Sequence, residues 1–226
     1  MFTKKTIRDV DLHDKRVLMR ADYNVPINDD GTIADDFRIE QSVNTIKALL
    51  DQNVKLVICS HLGRPEGPGD TKCSLKPIAK RLSELLGQEV QFADDCIGAA
   101  VEEAAAALQP GRVLLVENLR FHPQEEENDS DFAAQLARLG EVFVQDGFGV
   151  VHRAHASTEG IAHHLPSVAG LLLEKEVDTI TKVMDTPERP LMAIIGGAKI
   201  ADKIDVLNRF IEIVNGVLRE TLSGEA

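Results

Sequence analysis

The sequence predicts an α/β fold in three layers, a parallel sheet with helices on both faces, followed by a truncated second α/β lobe. Three observations predict it. Short apolar runs recur along the 226 residues, each of the length and character of a strand buried on both faces. Amphipathic stretches of helical period separate most of them. Strands that alternate with helices in this way form parallel sheets with right-handed crossovers.

The elements follow in order. RVLMRA (16–21) is the first strand. Ile39, Val43, Ile46, Leu49 and Leu50 then share one face of a helix running from Arg38 to Asn53, with Asp35 or Asp36 as its cap. VKLVICS (54–60) is the second strand, and Ser74 opens the helix SLKPIAKRLSELLG. That helix turns Ile78, Leu82, Leu85 and Leu86 inward and stops at Gly87. EVQF (89–92), an alanine-rich helix over 95–108 and the strand RVLLVEN (112–118) come next. The acidic run EEEND (125–129) reads as a solvated loop. Asp129 or Asp131 starts the helix DFAAQLARLG, with Phe132, Leu136 and Leu139 on one face and Gly140 at its end. EVFVQD (141–146) is the fifth strand. A helix over about 170–185 is closed by Pro187 and Pro190, before the strand PLMAIIGG (190–197) and a last helix from near Lys199 towards Leu222. The organisation expected is a first lobe over 1–168, a hinge helix and linker over 169–189, and the start of a second lobe over 190–226.

Composition excludes several classes. Hydrophobic residues at 43% and charged residues at 27% rule out wholesale disorder. A chain of this size buries roughly 70% of its unfolded surface, so it needs neither metal nor disulfide to fold. No apolar run approaches the roughly 18–20 residues of a membrane span. The opening MFTKKTIRDVDL carries lysines with no apolar stretch behind them, so no secretory leader is read there and a cytoplasmic location is expected. Acidic residues number 37 against 25 basic ones, a net charge of −12, which disfavours nucleic acid as a partner. Cys59, Cys73 and Cys96 form no CxxC pair, and no His/Cys/carboxylate spacing supports a zinc site, so no metal ligands are expected. Cys59 ends the apolar run KLVIC and reads as a buried thiol.

Ligands of open α/β sheets bind outside the carboxyl ends of the strands. Arg20, Asp22 and Asn24 follow the first strand, and His61, Gly63 and Arg64 follow the second. Arg120 and His122 follow RVLLVEN, and Gly147, Gly149, His152, Arg153 and His155 follow EVFVQD. Arg38 opens the first helix from the same edge. An acidic chain thus gathers five arginines at one rim. Any one of them is equally well explained by a neighbouring surface acid. Five together favour a small ligand with more than one anionic group, because guanidinium grips phosphate and carboxylate in bidentate fashion. His13, His163 and His164 carry no functional signal, and His122 and His155 read as hydrogen-bonded structure. A second signal is IIGGAKIADKI (194–204), an apolar strand running through Gly196 and Gly197 into a helix. A helix N-terminus favours anions, and Lys199 and Lys203 share a face there. It is not a Walker A loop, and a glycine turn with two solvated lysines is an equal reading.

RADYNVP (20–26), FRI (37–39), SHLGRP (60–65), ENLRF (117–121), DGFGVVHRAHAST (146–158) and GGAKIADKI (196–204) resemble, in order and spacing, phosphoglycerate kinase. The resemblance covers about residues 3–210. It implies two Rossmann-like lobes joined by a helical hinge, the first binding 3-phosphoglycerate or 1,3-bisphosphoglycerate and the second Mg-ADP or Mg-ATP. It implies that Asp22, Asn24, Arg38, His61, Arg64, Arg120 and Arg153 form the phosphoglycerate site. Arg38 would lie where the phosphoryl group moves. Lys199 and Lys203, with Gly196 and Gly197, would serve the nucleotide phosphates and the transferring group. The family is usually monomeric. The resemblance fades in IEIVNGVLRETLSGEA, so either a fragment or a truncated gene product is expected, with most of the nucleotide lobe absent and poorly active alone. An apolar face of the last helix, including Ile204, Leu207, Ile211 and Val214, would then favour self-association. A phosphoglycerate-binding module without catalysis and a half-enzyme needing a separate second lobe are the alternatives. A haloacid-type phosphatase is excluded, because ADYNVP lacks the DxDx[TV] nucleophile segment.

Overall fold

The computed structural model describes residues 2–195 and, beyond them, 208, 210, 211, 213, 214 and 216–219. The chain divides into two compact units, one of Phe2–Glu176 and a smaller one from Val177 onward. The larger holds a six-stranded sheet of β1 (Arg16–Arg20), β2 (Lys55–Cys59), β3 (Val90–Ala93), β4 (Val113–Val116), β5 (Val142–Gln145) and β6 (Ser167–Ala169). The strand order is β3-β4-β2-β1-β5-β6, and every pairing is parallel. From β1 the chain fills one side of the sheet with β2, β3 and β4, then crosses to place β5 and β6 on the other. β1 is therefore the switch point where a crevice opens at the carboxyl ends.

Helices α1 (Phe37–Leu50), α2 (Lys76–Leu86), α3 (Ala99–Ala107), α4 (Ser130–Ala137) and α5 (Leu171–Asp185) connect or follow the strands. One core layer packs Val17, Met19, Ile39, Ile46, Leu49, Leu56, Ile58, Ile78 and Leu82. Leu18, Val57, Val101, Leu114, Phe132, Leu136 and Phe143 fill the layer on the opposite face. Alternate residues of β1 and β2 fall in opposite layers, as the two-residue period of a strand covered on both faces requires.

Most elements lie where apolar period and punctuation place them. Gly87 ends α2 in the left-handed conformation (φ 67°). Asp129 caps α4, accepting from the Phe132 amide at 2.8 Å. At α1 the capping bond comes from Asp35, which accepts from Phe37 N at 2.8 Å, while Asp36 is drawn away to the Arg81 guanidinium at 2.7 Å. β6 is an addition to the predicted set. Its three residues, Ser-Val-Ala, are too few to show a period. In the smaller unit, β7 (Met192–Ile195) pairs in parallel with β8 (Gly216–Arg219). β8 occupies the end of the span expected to be helical up to Leu222. Gly216 breaks that helix, because glycine costs about 1 kcal/mol in a helix interior. Ile211 is exposed and Ile213 buried, while Ile204 and Leu207 lie outside the described residues. Among the described residues no helix is long and apolar enough to cross a membrane.

Candidate functional site

Four central strands, β4-β2-β1-β5, end on one rim. In register, Arg20 stands beside Cys59 on one side and Gln145 on the other, so the three following segments start level. Each segment then ties itself to its neighbour. Ala21 N donates to Cys59 O at 3.0 Å and Tyr23 N to Ser60 Oγ at 2.8 Å. Gly63 N donates to Asn24 Oδ1 at 2.8 Å, joining the loops after β1 and β2. Gly63 sits in the left-handed region (φ 62°), where it lets SHLGRP turn. Asn118 links the loop after β4 to the same place. Its Oδ1 accepts from Leu62 N at 3.3 Å and Arg120 N at 3.0 Å, and its Nδ2 donates to Leu62 O at 2.7 Å and Cys73 O at 2.8 Å.

This scaffold gathers Asp22, Asn24, Arg38, His61, Arg120 and Arg153 at the strand ends, whereas Arg64 lines a separate surface hollow with Glu66, Asp70 and Lys72. Arg38 Nη1 donates to Asp22 Oδ2 at 2.8 Å, with the arginine side chain half exposed. Asp22 Oδ1 in turn accepts from Asn24 N at 3.2 Å. Arg120 is held by Gly63 O at 2.7 Å and by Glu126 at 2.8 Å. Its Nε is buried with no hydrogen-bond partner among the described residues. Arg64 is exposed and Arg153 half-buried. Burial, followed by the repulsion of Arg20, Arg120, Arg153 and Arg38, pushes His61 down to about 2. Four arginines therefore crowd one neutral imidazole. Burial lowers Arg120 as well, and Arg153 and Arg20 press it in the same direction. A cavity of about 230 Å³ opens beside this rim, lined by Asp22, Arg38, Asp146, Gly149 and Leu172 among others.

Gly196, Gly197, Lys199 and Lys203, expected to serve a nucleotide, lie outside the described residues.

Several residues at the site lie otherwise than the sequence suggests, or gave no signal there. EEEND does not behave as a solvated loop throughout, because Glu125 is only 1% exposed. Its Oε2 accepts from Ser157 N at 2.9 Å and its Oε1 from Ser157 Oγ at 2.5 Å. A Pro123–Glu125 3-10 turn carries this one acid inward, and no period marks the turn in the sequence. Arg20, grouped with the other rim arginines by sequence, is 1% exposed and lies beneath them. Asp146 is buried and accepts from Leu172 N at 3.0 Å and Leu173 N at 3.3 Å, at the start of α5. Burial raises its carboxyl to about 6.

Asp95, Cys96 and His122 converge closely enough to share an ion, a grouping the spacing of the chain did not announce. Their chemistry is already engaged. His122 Nε2 and Asp95 Oδ1 share a hydrogen bond of 2.7 Å, and burial holds the Cys96 thiol protonated. Cys59 is buried as expected, and burial lifts its thiol to about 12.

Comparison with known proteins identifies the family. The family pattern for phosphoglycerate kinase matches residues 7–220. A phosphoglycerate kinase of Desulforudis audaxviator is 54% identical over 209 residues, 92% of this chain and 53% of the relative. One from Chlorobium phaeobacteroides is 55% identical over 216 residues, 95% of this chain and 54% of the relative. The solved phosphoglycerate kinase of Coxiella burnetii matches with a TM-score of 0.82 at 35% identity, over 96% of this chain and 54% of its own. That of Pyrococcus horikoshii matches with a TM-score of 0.86 at 30% identity, over 95% of this chain and 55% of its own. The chain spans about half the length of the relatives it matches, and over that half it belongs to the phosphoglycerate kinase family.

Proposed function

We propose that this chain carries the phosphoglycerate-binding half of a reversible phosphoryl transfer, in which 1,3-bisphosphoglycerate and ADP give 3-phosphoglycerate and ATP. The observation that carries the reading is the convergence of Arg20, Arg38, Arg120 and Arg153 around a neutral His61 at the ends of four adjacent strands. Crowded guanidinium groups repel, and a doubly anionic ligand relieves that repulsion while satisfying a buried donor such as Arg120 Nε.

In this reading His61, Arg64, Arg120 and Arg153 clamp the distal phosphate. Asp22 and Asn24 hold the hydroxyl and carboxyl end, already tied to Arg38 and to Gly63. Arg38, on the exposed side, meets the transferring phosphoryl group. The acceptor in the ATP-consuming direction is a carboxylate, ionised near neutral pH. It needs neither a general base nor a covalent nucleophile. What the chain must supply is alignment and charge neutralisation. Gly196, Gly197, Lys199 and Lys203 match the family's nucleotide-phosphate motif, and to them we assign the contacts with Mg-ADP or Mg-ATP; the metal ion would offset phosphate charge. The corresponding division of labour is a binding lobe over 1–168, a hinge over 169–189 and nucleotide-lobe residues over 190–226.

Because the chain spans half the length of its relatives, a half-enzyme that gains turnover from a separate nucleotide lobe is a second reading. The experiment is a calorimetric titration of 3-phosphoglycerate into the chain, with Arg38→Ala and Arg64→Ala beside it and a coupled assay for turnover. Saturable binding lost in both variants supports the assignment. Turnover by the chain alone favours the complete reaction, and turnover only with an added nucleotide lobe favours the half-enzyme. Absence of binding in the parent chain refutes the site.

A further inference from the structure

We propose that Arg20, Ser157 and Glu125 form a buried hydrogen-bond relay that positions His61 as a neutral Nε2–H donor to the anion. This deepens the phosphoglycerate-binding reading and rests on it for the identity of the anion.

The relay has only one possible direction. A guanidinium donates and never accepts. Arg20 Nε lies 2.8 Å from Ser157 Oγ, so the serine oxygen accepts there. The single serine hydroxyl proton then goes to Glu125 Oε1 at 2.5 Å. Glu125 Oε2 accepts from Ser157 N at 2.9 Å, and the Glu125 carbonyl accepts from Ala156 N at 2.9 Å, so the acid grips the segment after β5 at three points. At its other end Arg20 Nη2 lies 3.1 Å from His61 Nδ1. That nitrogen must present a lone pair, so the ring proton sits on Nε2, on the far side of the ring from Arg20. Arg20 Nη1 is fixed on the carbonyl of Ala21.

Burial makes the arrangement rigid. Arg20 and Glu125 are each 1% exposed, Ser157 is fully buried, and His61 is 3% exposed. An arginine this deep needs a counter-charge, and Glu125, joined to it through Ser157, supplies it. Four positive charges bear on His61: Arg20 from β1, Arg38 from α1, Arg120 after β4 and Arg153 after β5. Protonating the ring at Nδ1 would both add a fifth charge and set two donors against each other. The histidine therefore contributes an oriented dipole and not a charge, and it does so without titrating near neutral pH.

The test uses the whole chain with ¹⁵N-labelled histidine. Long-range proton–nitrogen correlation spectra of the ligand-free protein, from about pH 5 to pH 8, read the protonation of each ring nitrogen. The expected result is one neutral His61 species with its proton on Nε2 throughout. A His61 that titrates in this window, or carries its proton on Nδ1, overturns the relay. Ser157→Ala then removes the link while leaving Arg20 and Glu125 in place. It should turn His61 into a tautomer mixture and weaken 3-phosphoglycerate binding about tenfold, the value of one well-oriented hydrogen bond. Altered tautomers with unchanged affinity would overturn the positioning role. Because the spectra are recorded without ligand, a chain that shows the Nε2–H form but binds no 3-phosphoglycerate would refute the functional reading and leave the relay standing.

Discussion

At the scale of single residues, the site is shaped as much by what lies under the arginines as by the arginines themselves. Asp22 shows how tightly the rim is fitted. Its Oδ2 receives Arg38 at 2.8 Å, and a Cβ added to Gly149 would stand 2.5 Å from the same oxygen. Gly149→Ala must therefore push the carboxylate aside, and Arg38 loses its anchor with it. Gly149 is exposed, so the fold has room to absorb the methyl elsewhere. The expected outcome is a roughly tenfold loss in 3-phosphoglycerate affinity, about 1.4 kcal/mol, with the melting temperature shifted by only a few degrees. Unchanged affinity by calorimetry would show that the Asp22–Arg38 pair is not part of the site. The arginines, His61 and the Asp22–Asn24 pair were legible in the sequence, because polar residues directly after apolar strands have one place to go. Glu125 was not. It is one of three consecutive glutamates, and only the 3-10 turn beginning at Pro123 decides which of them points inward. Ser157 was silent for a related reason, since a hydroxyl gains its meaning from partners 32 and 137 positions away.

At the scale of elements, the start of α5 is joined to the site segment after β5. Asp146 Oδ1 accepts from Leu172 N and Leu173 N, two of the orphan donors that every helix N-terminus exposes. Gly170 is required there, because a Cβ would lie 2.1 Å from that oxygen. Asp146 Oδ2 has no hydrogen-bond partner among the described residues, and burial raises the carboxyl from 3.8 to about 6. The folded chain thus holds the proton more tightly than the unfolded one. The raised value makes ionisation cost stability, a penalty absent below about pH 4, growing as pH rises through 6, and constant above. Two pKa units correspond to about 3 kcal/mol. Asp146→Asn keeps an acceptor for the two amides and removes the ionisation. Its stability relative to the parent chain should rise by up to about 3 kcal/mol between pH 4 and pH 7.5, measured by urea unfolding at both. A gap that does not change with pH would show that Asp146 does not titrate in this range. The helices themselves were readable because apolar period and capping residues agree, as at Asp129 and Gly87. β6 and β8 were not readable. Three residues hold no period, and Val217 and Leu218 read as a continuation of the apolar helical pattern before them although they pair with Ala193 and Ile194 of β7.

At the scale of the molecule, core and proposed binding site coincide in one unit. Both hydrophobic layers are built from residues of Phe2–Glu176. So are Asp22, Asn24, Arg38, His61, Arg64, Arg120, Arg153 and the Glu125–Ser157–Arg20 relay beneath them. A parallel sheet of six strands covered on both faces is large enough to fold as a domain of its own. A chain ending at Glu176 keeps Leu172 and Leu173, the residues that Asp146 holds, and it keeps Arg8 within reach of Glu174. That piece should unfold cooperatively in urea and bind 3-phosphoglycerate within about threefold of the whole chain, about 0.7 kcal/mol. Its binding should weaken with added salt, since the attraction is that of a cationic rim for a small anion on an otherwise acidic protein of net charge −12. A broad, non-cooperative transition would mean that the residues from Val177 onward complete the fold. A sharp transition with binding lost would mean that they complete the site, and the basic rim would then be only part of what holds the ligand.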